Sequence, residues 1–160
     1  AQVGPLVADR QRDRVLGLID KGKNEGARVT TGGGRPAFDT GFFVDPTVFA
    51  DVTNDMTIAR EEIFGPVLSV IAYDGVDDAV AIANDSPYGL SGSVWGADGA
   101  AAADIARRMD TGTVTINHFG MAFGAPFGGY KDSGLGRELG PEGVDAYLQK
   151  KSISLDPAAG

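Results

Sequence analysis

Cysteine does not occur in this sequence, and its absence excludes a disulfide framework, a thiolate metal site and a cysteine nucleophile. Histidine occurs once. A single imidazole, with no carboxylate cluster at ligand spacing beside it, argues against a transition-metal centre. Positive charge is also scarce: 14 Lys and Arg stand against 22 Asp and Glu, and the formal net charge is −8. The basic residues nowhere cluster, so neither nucleic acid nor an anionic membrane surface is an expected partner. No apolar run approaches the ~18 residues that suggest a membrane span, and no secretory leader is present, which points to the cytoplasm. The first residue is Ala rather than Met, which fits a piece of a longer protein.

Glycine is the residue in excess. Its 24 copies in 160 residues are about twice the usual share of ~7%. They follow no repeat period, so they mark tight turns rather than collagen or disorder. Hydrophobic residues at 42% and charged residues at 22% are those of an ordinary globular chain. A chain this long forms one domain with a real core, burying roughly 70% of its extended surface.

The chain is organised around Arg60-Glu61-Glu62-Ile63-Phe64-Gly65-Pro66-Val67. Two carboxylates run into an apolar pair and a Gly-Pro break, and a β-branched strand over residues 67–73 follows. A carboxylate at the mouth of a buried strand must be hydrogen-bonded or carry a role, because burying it unpaired costs several kcal/mol. Paired acceptor oxygens beside a ring face suit a ribose diol and its attached ring. The plainer reading is a helix that ends in surface acids.

Asp9 is placed to cap a helix over residues 9–25, with Val15, Leu18, Ile19 and Gly22 on one stripe and Gly26 as its stop. Gln11 lies on that stripe and Arg14 at its edge, where the two satisfy each other or a loop carbonyl. Residues 28–31 are a short strand, and residues 42–49 a second one interrupted at Asp45-Pro46. Between them Gly32-Gly33-Gly34 lacks the Lys-Ser/Thr of a phosphate loop. Asp74 caps a helix with Val76, Ala79, Val80 and Ala83 on one face. Residues 91–95 are a strand, Asp98 starts a helix with Ala101, Ile105 and Met109 inward, and residues 113–117 are the next strand. This β-α-β-α-β order predicts an α/β fold with a largely parallel sheet covered by helices. Sites in such sheets lie at the carboxyl ends of strands, here Asn117 and the loop after it.

That loop, residues 118–133, holds Phe119, Met121, Phe123 and Phe127 with few charges, so it either tucks into a core or lines an apolar pocket. His118 hydrogen-bonds a ligand or a backbone carbonyl. Gly134-x-Gly136-x-x-x-Gly140 is one residue too long for a dinucleotide fingerprint and follows no strand. Its glycines are turns before a helix over residues 141–148, with Pro141 in the first turn. Asn84-Asp85-Ser86 is a glycosylation acceptor in form only. Residues 150–155, from Lys150 to Leu155, alternate as a strand with Ile153 and Leu155 on one face, and a loose Pro-Ala-Ala-Gly tail ends the chain.

Five blocks in fixed order resemble the NAD(P)-dependent aldehyde dehydrogenase family. They are Gly41-Phe42-Phe43-Val44-Asp45-Pro46-Thr47-Val48, the Glu61 to Val67 stretch, Ser86-Pro87-Tyr88-Gly89-Leu90, Gly112-Thr113-Val114-Thr115-Ile116-Asn117, and Pro126-Phe127-Gly128-Gly129-Tyr130-Lys131-Asp132-Ser133-Gly134. The resemblance covers almost the whole chain but only the last third or so of such an enzyme. It implies the later half of the catalytic domain over residues 1–132, then a C-terminal helix and oligomerisation strand over residues 133–160.

In the resembling family an aldehyde is oxidised to a carboxylic acid through a thiohemiacetal, hydride transfer to NAD or NADP, and hydrolysis of a thioester. The cysteine, the oxyanion-stabilising Asn, the general-base Glu and the dinucleotide-binding domain are expected upstream, so this chain holds no catalytic residue and alone is inactive. By resemblance, Glu62 and Phe64 hold the nicotinamide ribose, with Gln11 and Arg14 beside them. Phe127, Phe123 and Phe119 line the aldehyde tunnel, with His118 as a further candidate. The segment from Lys150 to Leu155 pairs with a neighbouring subunit of a homodimer or homotetramer. Two rival readings remain: a stand-alone assembly or binding module, for which a start codon near Ala1 would speak, and an acylating or reductive enzyme on the same scaffold, which needs no general-base Glu.

Overall fold

Gly26, at φ 99, ends the first helix as the sequence requires. This left-handed conformation costs glycine least. It turns the chain back while the amides of Glu25, Gly26 and Ala27 take up the carbonyls of Lys21, Lys23 and Gly22 at 2.9, 3.1 and 3.0 Å. The computed structural model describes residues 3–37 and 40–158. Contacts divide the chain into two compact units, Ala1–Ser86 and Pro87–Gly160.

In the first unit, α1 (Asp9–Asn24) buries Val15, Ile19 and Gly22. Leu18 is only half-buried. The helix starts differently from expectation: Ala8 holds the N-cap without a side-chain bond, and Asp9 is the first helical residue. There its carboxylate still favours the free amides of the first turn. Then follow β1 (Arg28–Thr31), β2 (Thr47–Ala50), α2 (Thr57–Arg60), β3 (Val67–Ser69) and α3 (Gly75–Asn84). Strand β2 is central, antiparallel to β1 and parallel to β3. One face of this sheet meets α1 and α2 around Phe49, which is fully buried, with Val15, Ile19, Ile58 and Ile63. Side chains of this size each contribute about 1.5–3 kcal/mol when fully buried.

Three expectations in this unit are corrected. The strand over residues 42–49 begins only at Thr47, because Pro46 has no N–H and the Asp45 amide bonds the Gly34 carbonyl at 3.0 Å. The strand over residues 67–73 is shortened to β3, beyond which Val70 continues the pairing, its amide donating to the Phe49 carbonyl at 2.9 Å and its carbonyl accepting from the Val52 amide at 3.4 Å. Of the α3 face, only Val80 is buried, while Val76 and Ala83 are exposed.

The second unit holds β4 (Tyr88–Gly89), β5 (Ser91–Val94), α4 (Gly99–Arg107), β6 (Thr113–Ile116), β7 (Tyr130–Lys131) and α5 (Glu142–Asp145). Strands β5 and β6 pair in parallel around α4, and β4 and β7 pair antiparallel. Asp98 caps α4 as expected, accepting from the amides of Ala100 and Ala101 at 2.9 and 3.1 Å. The inward face is displaced by one position: Ala102 is buried and Ala101 exposed, with Ile105 and Met109 half-buried. A helix of 3.6 residues per turn groups 102, 105 and 109, whereas the spacing 101, 105, 109 drifts off the face.

The expected largely parallel sheet is, among the described residues, three small sheets of three, two and two strands. The expected helix over residues 141–148 is reduced to α5, with Pro141 at its N-cap. Residues 150–155 form no strand, and Ile153 and Leu155 are 80% and 83% exposed. An alternating sequence gains the hydrogen bonds of a strand only from a partner, and none pairs here. The sequence-based boundary at 132/133 lies inside the second unit, where Phe127 and Glu138 exchange two backbone hydrogen bonds of 2.7 Å across it. Of the tail, Ala159 and Gly160 lie outside the described residues. No helix among the described residues is long and apolar enough to cross a membrane.

Candidate functional site

The loop after α2 turns on one buried residue. Ile63 is 9% exposed and belongs to the core, while Glu61, Glu62 and Phe64 around it are exposed, Phe64 by 72%. Contrary to the sequence argument, the carboxylates are thus not buried at a strand mouth. Phe64 sits at φ 53, a left-handed conformation that a bulky side chain adopts at a cost of about 1–3 kcal/mol.

Helix α1 supplies what holds it there. Arg14 Nη1 donates to the carbonyls of Glu62 and Ile63 at 2.8 and 2.9 Å. One turn earlier, Gln11 Nε2 donates to the carbonyls of Ile63 and Phe64 at 3.3 and 2.9 Å. Of the sequence alternatives for Gln11 and Arg14, the loop carbonyl is the one realised. Each bond contributes about 0.5–1.5 kcal/mol, more from the charged guanidinium, so the four together outweigh the strain. Gly65 completes the contact: a Cβ there would lie 2.7 and 2.8 Å from the two methyls of Val15, so only glycine brings the loop this close to α1.

The two acids differ. Glu61 Oε2 is 3.7 Å from Arg14 Nη2, a loose exposed pair. The Glu62 carboxylate has no hydrogen bond or ion pair among the described residues and is open to solvent. An exposed carboxylate beside a solvent-facing ring, both on a backbone fixed by α1, can accept hydrogen bonds from adjacent hydroxyls of a ligand whose ring packs on Phe64.

Sequence reasoning missed the residues that hold α2, and so the start of this loop. Glu25 accepts from the Thr57 amide at 2.7 Å and its hydroxyl at 2.6 Å, capping α2 from a distance in sequence. These two bonds, the hydroxyl's first, hold the Glu25 carboxyl below its ordinary value. Arg60 Nη1 and Nη2 grip Asp85 through its carbonyl and Oδ2, each at 2.6 Å, and the bond to the Asp85 carboxylate raises the Arg60 pKa. The only sequence signal was position: Glu25 ends α1 and Asp85 ends α3, where chain ends need partners.

In the second unit, a cavity of about 450 Å³ lies between β5 and β6 and the loop after β6. Phe119, Met121 and Phe127 line it, opposite Ser93, Thr113 and Thr115. The Thr113 and Thr115 hydroxyls are buried without a hydrogen-bond partner among the described residues. Of the sequence candidates, Phe119 and Phe127 therefore come together. Phe123 is 75% exposed and does not line the cavity, nor does His118. His118 Nδ1 donates to the Ile116 carbonyl at 3.0 Å. Asn117, at φ 56, spends its side-chain amide on Gly96, donating to its carbonyl and accepting from its N–H at 2.8 Å each. No cluster of metal-ligating side chains occurs among the described residues.

Comparison with known proteins is consistent across the chain. Residues 1–153 match the aldehyde dehydrogenase family. The chain is 58% identical to the geranial dehydrogenase of Castellaniella defragrans over 153 residues, 96% of this chain and 32% of that protein. It thus spans about a third of the length of the curated relatives it matches. The crystal structure of a Mycobacterium tuberculosis aldehyde dehydrogenase complexed with NAD+ superposes with a TM-score of 0.94 at 58% identity, over 98% of this chain and 32% of that one. A mutant aldehyde dehydrogenase C of Pseudomonas syringae, complexed with NAD+ and octanal, superposes with a TM-score of 0.90 at 49% identity, over 93% and 31%.

Proposed function

Because the chain belongs to the aldehyde dehydrogenase family, we propose that it is the C-terminal part of an NAD(P)-dependent enzyme that oxidises an aldehyde to a carboxylic acid, and that it positions cofactor and substrate. The observation that carries this reading is the pair Glu62 and Phe64, a carboxylate unpartnered among the described residues and an open ring face on a strained, firmly held turn. That acceptor and ring face fit the ribose end of a nicotinamide cofactor, and the relatives solved with NAD+ support the choice. When bound, NAD(P) accepts a hydride from the substrate carbon.

The chain's own part is geometry. The Glu62 oxygens accept from the two ribose hydroxyls and fix rotation about the ribose, and the Phe64 ring limits the tilt of the nicotinamide. Phe119, itself 94% exposed, with Met121 and Phe127 lines the path of an apolar aldehyde. The chain by itself lacks a thiolate, so the 160 residues alone turn over no aldehyde. Turnover by the purified chain with NAD(P), above a buffer control, would refute that. The expected setting is a cytoplasmic homodimer or homotetramer joined through residues 150–155.

The test is Glu62→Gln in the full-length protein. A charge-assisted hydrogen bond is worth about 1.5–3 kcal/mol, so hydride transfer in a single turnover slows by up to ~100-fold. Affinity for NAD+ changes much less, since its other end is held elsewhere. A single-turnover rate equal to that of the wild type counts against the assignment.

A further inference from the structure

We propose that Arg60 and Asp85 form a positioning pair that sets where the Glu62 carboxylate stands, without either residue touching a ligand. The proposal rests on the reading that Glu62 orients the nicotinamide ribose. Helix α3 has no basic residue in its last turn and ends at the C-cap Asp85, so its terminal carbonyls meet no positive charge from their own helix. Arg60, the last residue of α2, supplies that charge. Its Nη1 donates to the Asp85 carbonyl and its Nη2 to Asp85 Oδ2, each at 2.6 Å. Asn54, ahead of α2, reaches the same residue, its Nδ2 donating to Asp85 Oδ2 at 2.9 Å and to the Asp85 carbonyl at 3.2 Å. Both ends of the segment 54–60 are thus tied to Asp85, and Ile58 between them is buried in the core.

Only Glu61 and Glu62 separate Arg60 from Ile63, which is itself in the core. Glu61 leaves the helix in an extended conformation, at φ −93 and ψ 139. A span of two residues between two fixed ends has little conformational freedom left, so where Arg60 is held decides where Glu62 points. The Glu62 carboxylate makes no bond of its own among the described residues, which leaves its backbone to place it. The plain alternative is a surface ion pair, since both side chains are partly open to solvent. An isolated exposed pair contributes little. This one engages two guanidinium nitrogens and shares Asp85 with Asn54, and exposed pairs count when they form such a network.

The experiment uses the full-length protein with NAD+ and an aldehyde that the wild type turns over. Arg60→Gln should slow hydride transfer in a single turnover about fivefold, the equivalent of ~1 kcal/mol, while affinity for NAD+ moves far less. Asp85→Ala should give the same pattern, and the two changes together should cost no more than the larger one alone. Action through Glu62 has a signature that a general loosening lacks. In a Glu62→Gln background, where the carboxylate is already gone, adding Arg60→Gln should slow the reaction no further. Unchanged hydrogen exchange in β2 shows that the fold persists in each variant. Wild-type rates in Arg60→Gln and Asp85→Ala would overturn the proposal, as would an undiminished further loss in the Glu62→Gln background. A slowed Glu62→Gln beside an unimpaired Arg60→Gln refutes the positioning pair alone. An unimpaired Glu62→Gln refutes the ribose reading itself.

Discussion

Replacing Gly65 by Ala adds one methyl at the tightest point between the loop and α1. Its Cβ would stand 2.7 Å from Val15 Cγ2 and 2.8 Å from Cγ1, far inside the ~3.5–4.0 Å at which carbon atoms attract. Val15 is fully buried, among Ile19, Phe49 and Ile63, and has no empty side to move into. Its χ1 is also restricted by branching, so rotation exchanges one clashing methyl for another. Overpacking of this kind costs about 1–3 kcal/mol, and Gly65→Ala should lower stability by that amount. Val15→Ala alone leaves a small void and costs a similar amount.

The two changes together remove the clash as well as the void. The double variant should therefore be more stable than the sum of the single losses predicts, by about 0.5–3 kcal/mol. Denaturant titration of the full-length protein and its three variants, followed by far-UV circular dichroism, yields this coupling. A neutral Gly65→Ala, or losses that add within about 0.5 kcal/mol, would refute the claim that the loop is seated on Val15.

Two further predictions concern other parts of the chain. Because the bonds from Thr57 hold the Glu25 carboxyl below its ordinary value of 4.5, the capping of α2 is fully present above pH 4.5 and is lost as pH falls through the lowered pKa. Protection of the Thr57 amide, its exchange rate relative to the intrinsic rate at each pH, should fall over that descent in the wild type and be low throughout in Glu25→Ala, and a flat protection profile in the wild type would count against the cap. Removing residues 150–160 should lower the assembly mass of the full-length protein in light scattering, because exposed Ile153 and Leu155 then lose the neighbouring chain they are read to meet. An unchanged mass would mean that this segment is not the interface.

The sequence by itself determined what depends on neighbours within one turn or one strand. The span of α1, its stop at Gly26, the cap of α4 by Asp98 and the extent of β1 all followed from local rules of spacing, capping and glycine geometry. The five ordered blocks likewise sufficed for the family, since identity of residues in order requires no knowledge of contacts. What the sequence could not carry was anything held by a partner distant along the chain. Residues 150–155 alternate like a strand yet are unpaired, because alternation prepares an edge and only another edge completes it. The extended stretches around β2 and β3 were cut short for the same reason, with Pro46 withholding its donor and Asp45 engaged by Gly34.

At the loop, the sequence placed an acid and a ring side by side and set Gln11 and Arg14 near a buried face, with a loop carbonyl among their alternatives. Only the tertiary structure decided that four hydrogen bonds join these side chains to carbonyls about fifty residues away. It also decided that Phe64 takes a left-handed turn and that Phe119 and Phe127, but not Phe123, share one cavity. A backbone carbonyl looks the same at every position of a sequence. Which carbonyl meets which donor is fixed by the packing of Val15 against Gly65 and Ile63 into the core, a balance of close contacts that no local pattern records.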